Sequence, residues 1–224
     1  MPMPRNGYYL KDGTRVPGTT TVIGRFKESG ALLRWAFQQG KDGKNDLYED
    51  RDKAADIGTC VHNMVERNVR GGGVEECRAM ADEILPTPEM RAKAMSGFDA
   101  YLAWARNCKI EIIAQEIQMV SEAYRFGGTP DAIGKIGDDL VLLDYKTSNG
   151  VYTDYLIQLA AYKNLWEENH PDKPINGGFH LLRFAKEHGD FAHHYYAKLD
   201  EAWRQFVLLR EAYEIDKQLK KRAS

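Results

Sequence analysis

Little in this chain marks it for the cell exterior or for a membrane. Cysteine is scarce: Cys60, Cys77 and Cys108 stand 17 and 31 positions apart. Neither interval is a zinc-ligand or iron–sulfur spacing, and an odd number does not make a disulfide framework. Reduced thiols in an intracellular compartment are the expectation, with Cys60 a small buried hydrophobe on a helical stripe. No apolar run approaches the ~18 residues of a membrane span, so no membrane partner is expected. The opening Met1–Arg5 has neither a secretory apolar core nor an arginine-rich presequence. Net charge is only −2, which gives no overall attraction to nucleic acid. Internal repeats and low-complexity tracts are absent as well.

What is present is an ordinary globular composition. The 224 residues, 43% hydrophobic and 29% charged, fit one domain with a sound core. Positive charge is concentrated locally. Residues 1–45 carry eight Lys/Arg against three acids, and residues 215–224 carry four against one. Such patches can meet phosphate even on an acidic chain.

The element pattern starts with a short hairpin, Tyr8-Tyr9-Leu10 against Thr14-Arg15-Val16, ending at Pro17. Helices are expected over about 20–40, 46–70, 74–84 and 88–107, with breaks at Gly71-Gly72-Gly73 and Pro86-Thr87-Pro88. Strand character runs from Ile110 to Val120, resumes at Tyr124-Arg125-Phe126, and continues through a hairpin over 129–146. A helix over 153–168, strands near 175–185 and 190–197, and a helix over 200–221 complete the chain. The order predicts an α/β core, a central mixed β-sheet flanked by helices, with an N-terminal helical extension.

The hairpin carries the chemistry. Gly137-Asp138 is a two-residue turn signal, so Ile136 pairs with Asp139 and, counting outward, Asp131 faces Asp144. Directly opposed residues have β-carbons about 4.5–5.5 Å apart, and like charges so placed repel unless a positive group lies between them. A divalent cation would serve. Lys146, two residues beyond Asp144, returns to the same face by strand alternation. A metal-binding carboxylate pair with a lysine beside it is a hydrolytic constellation.

Three other pieces accompany it. Gly58 and His62 lie one turn apart on a helix, and Glu66 follows one turn later. Gly128-Thr129-Pro130-Asp131 leads into the hairpin, and Gln158 and Tyr162 lie one turn apart on the next helix. Singly, each is also what a boundary histidine, a strand-entry turn or a core tyrosine looks like. Together, in the order Gly-x-x-x-His, Gly-x-x-Asp, Asp-x-Lys and Gln-x-x-x-Tyr, they resemble the RecB-type exonuclease branch of the PD-(D/E)XK nuclease superfamily. Upstream, Val16-Pro17-Gly18-Thr19-Thr20-Thr21-Val22-Ile23 and Leu32-Leu33-Arg34-Trp35 are similar to the region preceding the core in phage-encoded nucleases and in the mitochondrial genome maintenance exonuclease. Gly18 stands where that pattern usually has serine.

The resemblance implies a restriction-endonuclease-like fold and a single domain over 1–224. Residues 1–56 would form the N-terminal hairpin and helical extension, and 57–224 the catalytic core with its C-terminal helix. It implies a DNA exonuclease dependent on Mg²⁺ or Mn²⁺, acting from free ends and preferring single strands. His62, Asp131, Asp144 and the Tyr145 backbone carbonyl would be metal ligands. Lys146 would orient or deprotonate the attacking water and stabilise developing charge. Glu116 is a candidate extra ligand or supporting acid, and Glu66 would support His62 or a bound water. Gln158, Tyr162, Thr147, Thr20 and Trp35 are candidate DNA contacts; Trp35 and Tyr48 would stack on bases in a channel built by the N-terminal helices. A cytoplasmic setting in a bacterial or phage-infected host and a recombination or replication protein as partner also follow from the resemblance. The alternatives are a structure-specific or restriction-type endonuclease on the same core, and a catalytically silent DNA-binding recombination accessory protein.

Overall fold

The computed structural model describes residues 7–26, 34, 37, 38, 40, 41, 49–185 and 191–223, with only the backbone for 49–56. Trp35 and Tyr48, the expected base-stacking residues, lie outside the described residues.

Nine strands and six helices are defined among the described residues. The N-terminal hairpin pairs β1 (Tyr8–Tyr9) with β2 (Arg15–Val16), in the register Tyr8 opposite Val16. Helix α1 (Thr19–Arg25) follows, then α2 (Glu49–Val69), α3 (Val74–Ile84) and α4 (Pro88–Cys108). Gly71, at φ 92°, follows α2 where the glycine run was expected to stop it. Thr87 caps α4 by accepting from the Met90 amide at 3.2 Å, and Pro88 occupies the first turn, where its missing N–H costs nothing.

Five strands form the main sheet: β3 (Glu111–Gln115), β6 (Ala132–Ile136), β7 (Asp139–Thr147), β8 (Phe179–Phe184) and β9 (Phe191–Tyr196), in that spatial order. All neighbours are antiparallel except β7 and β8, which are parallel and joined through α5 (Thr153–Asn169). Parallel neighbours need such a crossover. The sheet is therefore mixed and flanked by helices, a restriction-endonuclease-like α/β fold. Helix α6 (Asp200–Ala223) ends the described chain. Among the described residues, no helix is long and apolar enough to cross a membrane.

Strand alternation divides the core in two. Ala132, Val141, Leu143 and Tyr145 pack with buried residues of α2, α3 and α4. Ile133 and Leu142 face the other way, into a cluster with α1, α5 and Phe206 of α6. Cys60 is fully buried in the first cluster, as its place on the helical stripe predicts.

Three strand expectations need correction. The stretch expected to run from Ile110 to Val120 is two strands: β3 ends at Gln115, and β4 (Met119–Ser121) belongs to a separate two-stranded sheet with β5 (Phe126–Gly128). Glu116 breaks the run by adopting φ 44°, a left-handed conformation that no strand accommodates. Tyr124 and Arg125 lie in the turn between β4 and β5, with Arg125 at φ 55°. Strand β6 opens at Ala132, so Thr129, Pro130 and Asp131 precede it.

Candidate active site

The hairpin register is the one the Gly137-Asp138 turn predicts. Ile136 pairs with Asp139 and Ala132 with Leu143; extending the ladder by one position sets Asp131 across from Asp144. Gly137 supplies the turn with φ 62°, which glycine adopts without steric cost. Both aspartates lie beyond the last apolar rung, at the carboxyl end of β7, where open α/β sheets place their ligands. They are also deeply buried, Asp131 at 3% and Asp144 at 0% exposure.

The two carboxylates are held differently. The Tyr145 amide donates to Asp131 Oδ2 at 2.7 Å, a bond that reaches across the hairpin to the residue beside Asp144. Asp144 has no such support. Lys146 Nζ forms an ion pair with its Oδ2 at 2.7 Å, and its buried Oδ1 has no hydrogen-bond partner. Burial is the largest influence on Asp144 and, with Asp131 adding to it and Lys146 opposing, pushes its carboxyl up to about 7. Burial also raises Asp131, against the pull of Lys146 and the Tyr145 amide. For Lys146, burial acts to lower the ammonium's proton affinity, but Asp144 and Asp131 outweigh it and the net shift is upward.

His62 approaches from α2. Its Nε2 is 3.8 Å from Asp131 Oδ1, and its ring meets the Tyr145 ring edge-on at 5.5 Å. Burial lowers its proton affinity, partly offset by Glu116, Asp144 and Glu66, so the neutral form with a free lone pair is favoured. Gly58 makes this approach possible. A β-carbon there would stand 2.4 Å from Thr147 Oγ1, so a larger residue would push α2 off β7.

Helix α5 closes the site from the opposite face. Gln158 Nε2 donates to the Tyr162 hydroxyl at 2.7 Å, and both side chains are buried. Asp144 and Asp131 both disfavour ionisation of Tyr162, second to burial itself. With its ring 2% exposed, Tyr162 is not placed to stack on a base. It backs Gly128, where an added β-carbon would come 2.7 Å from Tyr162 Cε1. Thr147 is half-buried against Gly58, and Thr20 is exposed on α1.

Glu66 and Glu116 sit near His62 but are engaged elsewhere. Arg70 lies 2.5 Å from Glu66 Oε1 and 3.8 Å from Glu116 Oε2. Sequence reading missed Arg70, although it continues the His62, Glu66 row at four-residue spacing. It also missed Tyr155, whose ring centroid lies 5.3 Å from Lys146 Nζ. The signal was available, since Tyr155, Gln158 and Tyr162 fall on one helical stripe.

Two buried carboxylates, one with an oxygen that has no hydrogen-bond partner, and a neutral imidazole are donors that suit a hard divalent cation. The fit is one of donor chemistry. Among the described residues, no three His, Cys, Asp or Glu side chains already close on a common point.

The sequence matches the family model of the PD-(D/E)XK nuclease superfamily over residues 31–221. Among solved structures, the chain is similar to a protein from Eubacterium rectale described provisionally as an exonuclease. That match has a TM-score of 0.45 and 14% identity, covering 70% of this chain and 68% of the other. It is also similar to the protein SSO0001, with a TM-score of 0.35 and 17% identity over 70% and 72% of the two chains. No curated protein matches it.

Proposed function

Because the chain belongs to the PD-(D/E)XK nuclease superfamily, we propose that it is a metal-dependent DNA exonuclease working as one domain. It hydrolyses phosphodiester bonds from free ends and prefers single strands. The observation that carries the reading is Asp144: a fully buried carboxylate, opposite Asp131 in the extended hairpin register, whose Oδ2 is ion-paired with Lys146 and whose Oδ1 has no hydrogen-bond partner. A fold gains nothing from leaving such an oxygen unpaired, which costs about 1–3 kcal/mol or more for a charged group. The acceptor is kept open for something that arrives. The action on free ends and the single-strand preference rest on the motif resemblance over residues 16–35 and 58–162.

Asp131, Asp144, His62 and the Tyr145 carbonyl would hold Mg²⁺ or Mn²⁺, with Glu116 in reach if Arg70 releases it. The bound ion supplies charge neutralisation at the phosphate and a water of lowered pKa. Lys146 orients that water and stabilises negative charge developing on the phosphate oxygens. The Tyr145 amide fixes Asp131 in place. Gln158 and Tyr162 support this wall from behind, a positioning role in place of the expected DNA contact. Thr147 and exposed Thr20 remain candidate phosphate contacts.

The test is digestion of 5′- and 3′-labelled linear DNA, single- and double-stranded, beside a closed circle, with Mg²⁺ or Mn²⁺. Progressive loss from linear single strands and an intact circle are expected. Cleavage of the circle would replace the exonuclease with an endonuclease, and binding without cleavage in either metal would sink the enzymatic reading.

A further inference from the structure

The segment that delivers Asp131 to the site is weakly held by its own sheet. Strand β5 has three residues and ladders with β4, its other strand contact among the described residues being an isolated parallel bridge from Gly127 to Gly18, and a two-stranded ribbon is marginal in water. The N-terminal hairpin and the loop after it supply the missing support. The Gly127 amide donates to the Pro17 carbonyl at 3.0 Å, and the Thr19 hydroxyl donates to the Gly127 carbonyl at 3.0 Å. The Tyr8 hydroxyl is hydrogen-bonded to Thr129 Oγ1 at 3.1 Å, two residues before Asp131. The Tyr8 ring lies so close over Gly127 that an added β-carbon there would stand 2.2 Å from Tyr8 Cγ. Thr19 Oγ1 and Tyr162 Cε1 would each be 2.7 Å from a β-carbon on Gly128. The hairpin itself is anchored to the same β4–β5 ribbon by Gln118 Nε2 on the Gly7 carbonyl at 2.7 Å and by the Lys11 amide on Glu122 at 2.8 Å.

We infer that the N-terminal hairpin is a positioning element of the catalytic centre: Tyr8, Pro17 and Thr19 clamp Gly127–Thr129 so that Asp131 is presented to Asp144. Gly127 and Gly128 are small because the clamp closes over their α-carbons. Thr19, buried at 1%, acts here, whereas its exposed neighbour Thr20 does not touch the segment. The role in cleavage rests on the nuclease reading above; the clamp itself can be measured without it.

Two amides report Asp131 directly: Tyr145 N–H on its carboxylate and Glu116 N–H on its carbonyl, at 2.7 and 3.2 Å. Hydrogen exchange of the full chain, wild type against Gly127→Ala and Tyr8→Phe, should show protection at both amides falling. The loss should be tenfold or more in Gly127→Ala and severalfold in Tyr8→Phe, while the Leu142 and Leu143 amides keep theirs. Should Gly127→Ala not fold, Tyr8→Phe carries the test, since it removes one hydroxyl. Unchanged protection at both amides in the folded variants overturns the inference. So does an equal loss at Leu142 and Leu143, which would mean global loosening. Cleavage assayed in parallel keeps the two ideas apart: selective exchange in an inactive wild type leaves the clamp standing and removes the nuclease.

Discussion

Two groups of titratable side chains lie on the same sheet, on opposite terms. On β8 and β9, His180 and His193 satisfy each other, with Nδ1 and Nε2 2.9 Å apart and their rings stacked. Burial pushes both toward the neutral form, His180 down to about 4. At the rim of β6 and β7, Asp131, Asp144 and Lys146 bury charge, and Asp144 Oδ1 is left without a hydrogen-bond partner. The histidine pair, with His180 buried and His193 exposed on the edge strand, is a polar contact that completes itself without any outside partner. The aspartate group is costly to the fold, because burying ions forfeits solvation that imperfect geometry does not return. Burial alone is common; burial with an unmet requirement is what sets the proposed site apart.

Chelation breaks the comparison most severely. EDTA should abolish cleavage, and either Mg²⁺ or Mn²⁺ should restore it in a labelled-DNA assay. Next come substitutions. Asp131→Asn, Asp144→Asn and Lys146→Ala should each lower the cleavage rate by about 10²–10⁴-fold, whereas His180→Leu should stay close to wild type. Equal losses at His180 and Asp144 in folded proteins would erase the distinction.

The pH dependence of stability separates the two groups by sign. Asp144 has a raised carboxyl, so its contribution is fully present below about 4 and is lost as pH rises through about 7. His180 has a lowered imidazole, so its contribution is present above about 6.5 and is lost as pH falls toward about 4. Between these limits the two trends oppose each other. In metal-free protein, calorimetry should find Asp144→Asn gaining Tm relative to wild type as pH rises from 4.5 to 6.5. His180→Leu should lose Tm relative to wild type over the same interval. Parallel curves would show that one assignment is wrong.

The smallest effect is expected at Gly58→Ala. Crowding against Thr147 should cost about 1–3 kcal/mol, or roughly 2–4 °C of Tm per kcal/mol at this length. Cleavage should fall severalfold as His62 is displaced. An unchanged rate would show that α2 can shift without disturbing the carboxylates.

Much of this was legible in the sequence because it is local. The Gly137-Asp138 turn sets the ladder, and a period of two then decides which residues share a face. Helical spacing likewise brought out Gly58 and His62. What was not legible depends on contacts between distant residues. The Tyr8–Thr129 bond spans 121 positions, and nothing in Gly127-Gly128 says which side chain will cover it. The break at Glu116 was hidden for another reason: a left-handed glutamate inside a strand-like run has no compositional mark. For Tyr162 the sequence left both a core tyrosine and a DNA contact open, because its stripe alone does not reveal that Gly128 lies against its ring.

That break at Glu116 has a wider consequence. Gln115 pairs with Ala132, and the Glu116 amide reaches the Asp131 carbonyl, so residues 116–131 leave the main sheet and re-enter it at a single rung. The excursion is pinched shut at its neck. Its distal turn at 122–125 is secured separately, by Glu168 accepting from the Glu122 and Ala123 amides. Residues added or removed at that turn would lengthen or shorten the excursion without sliding the rung at its base. The spacing of the two aspartates is therefore set at the neck of the excursion and not at its tip.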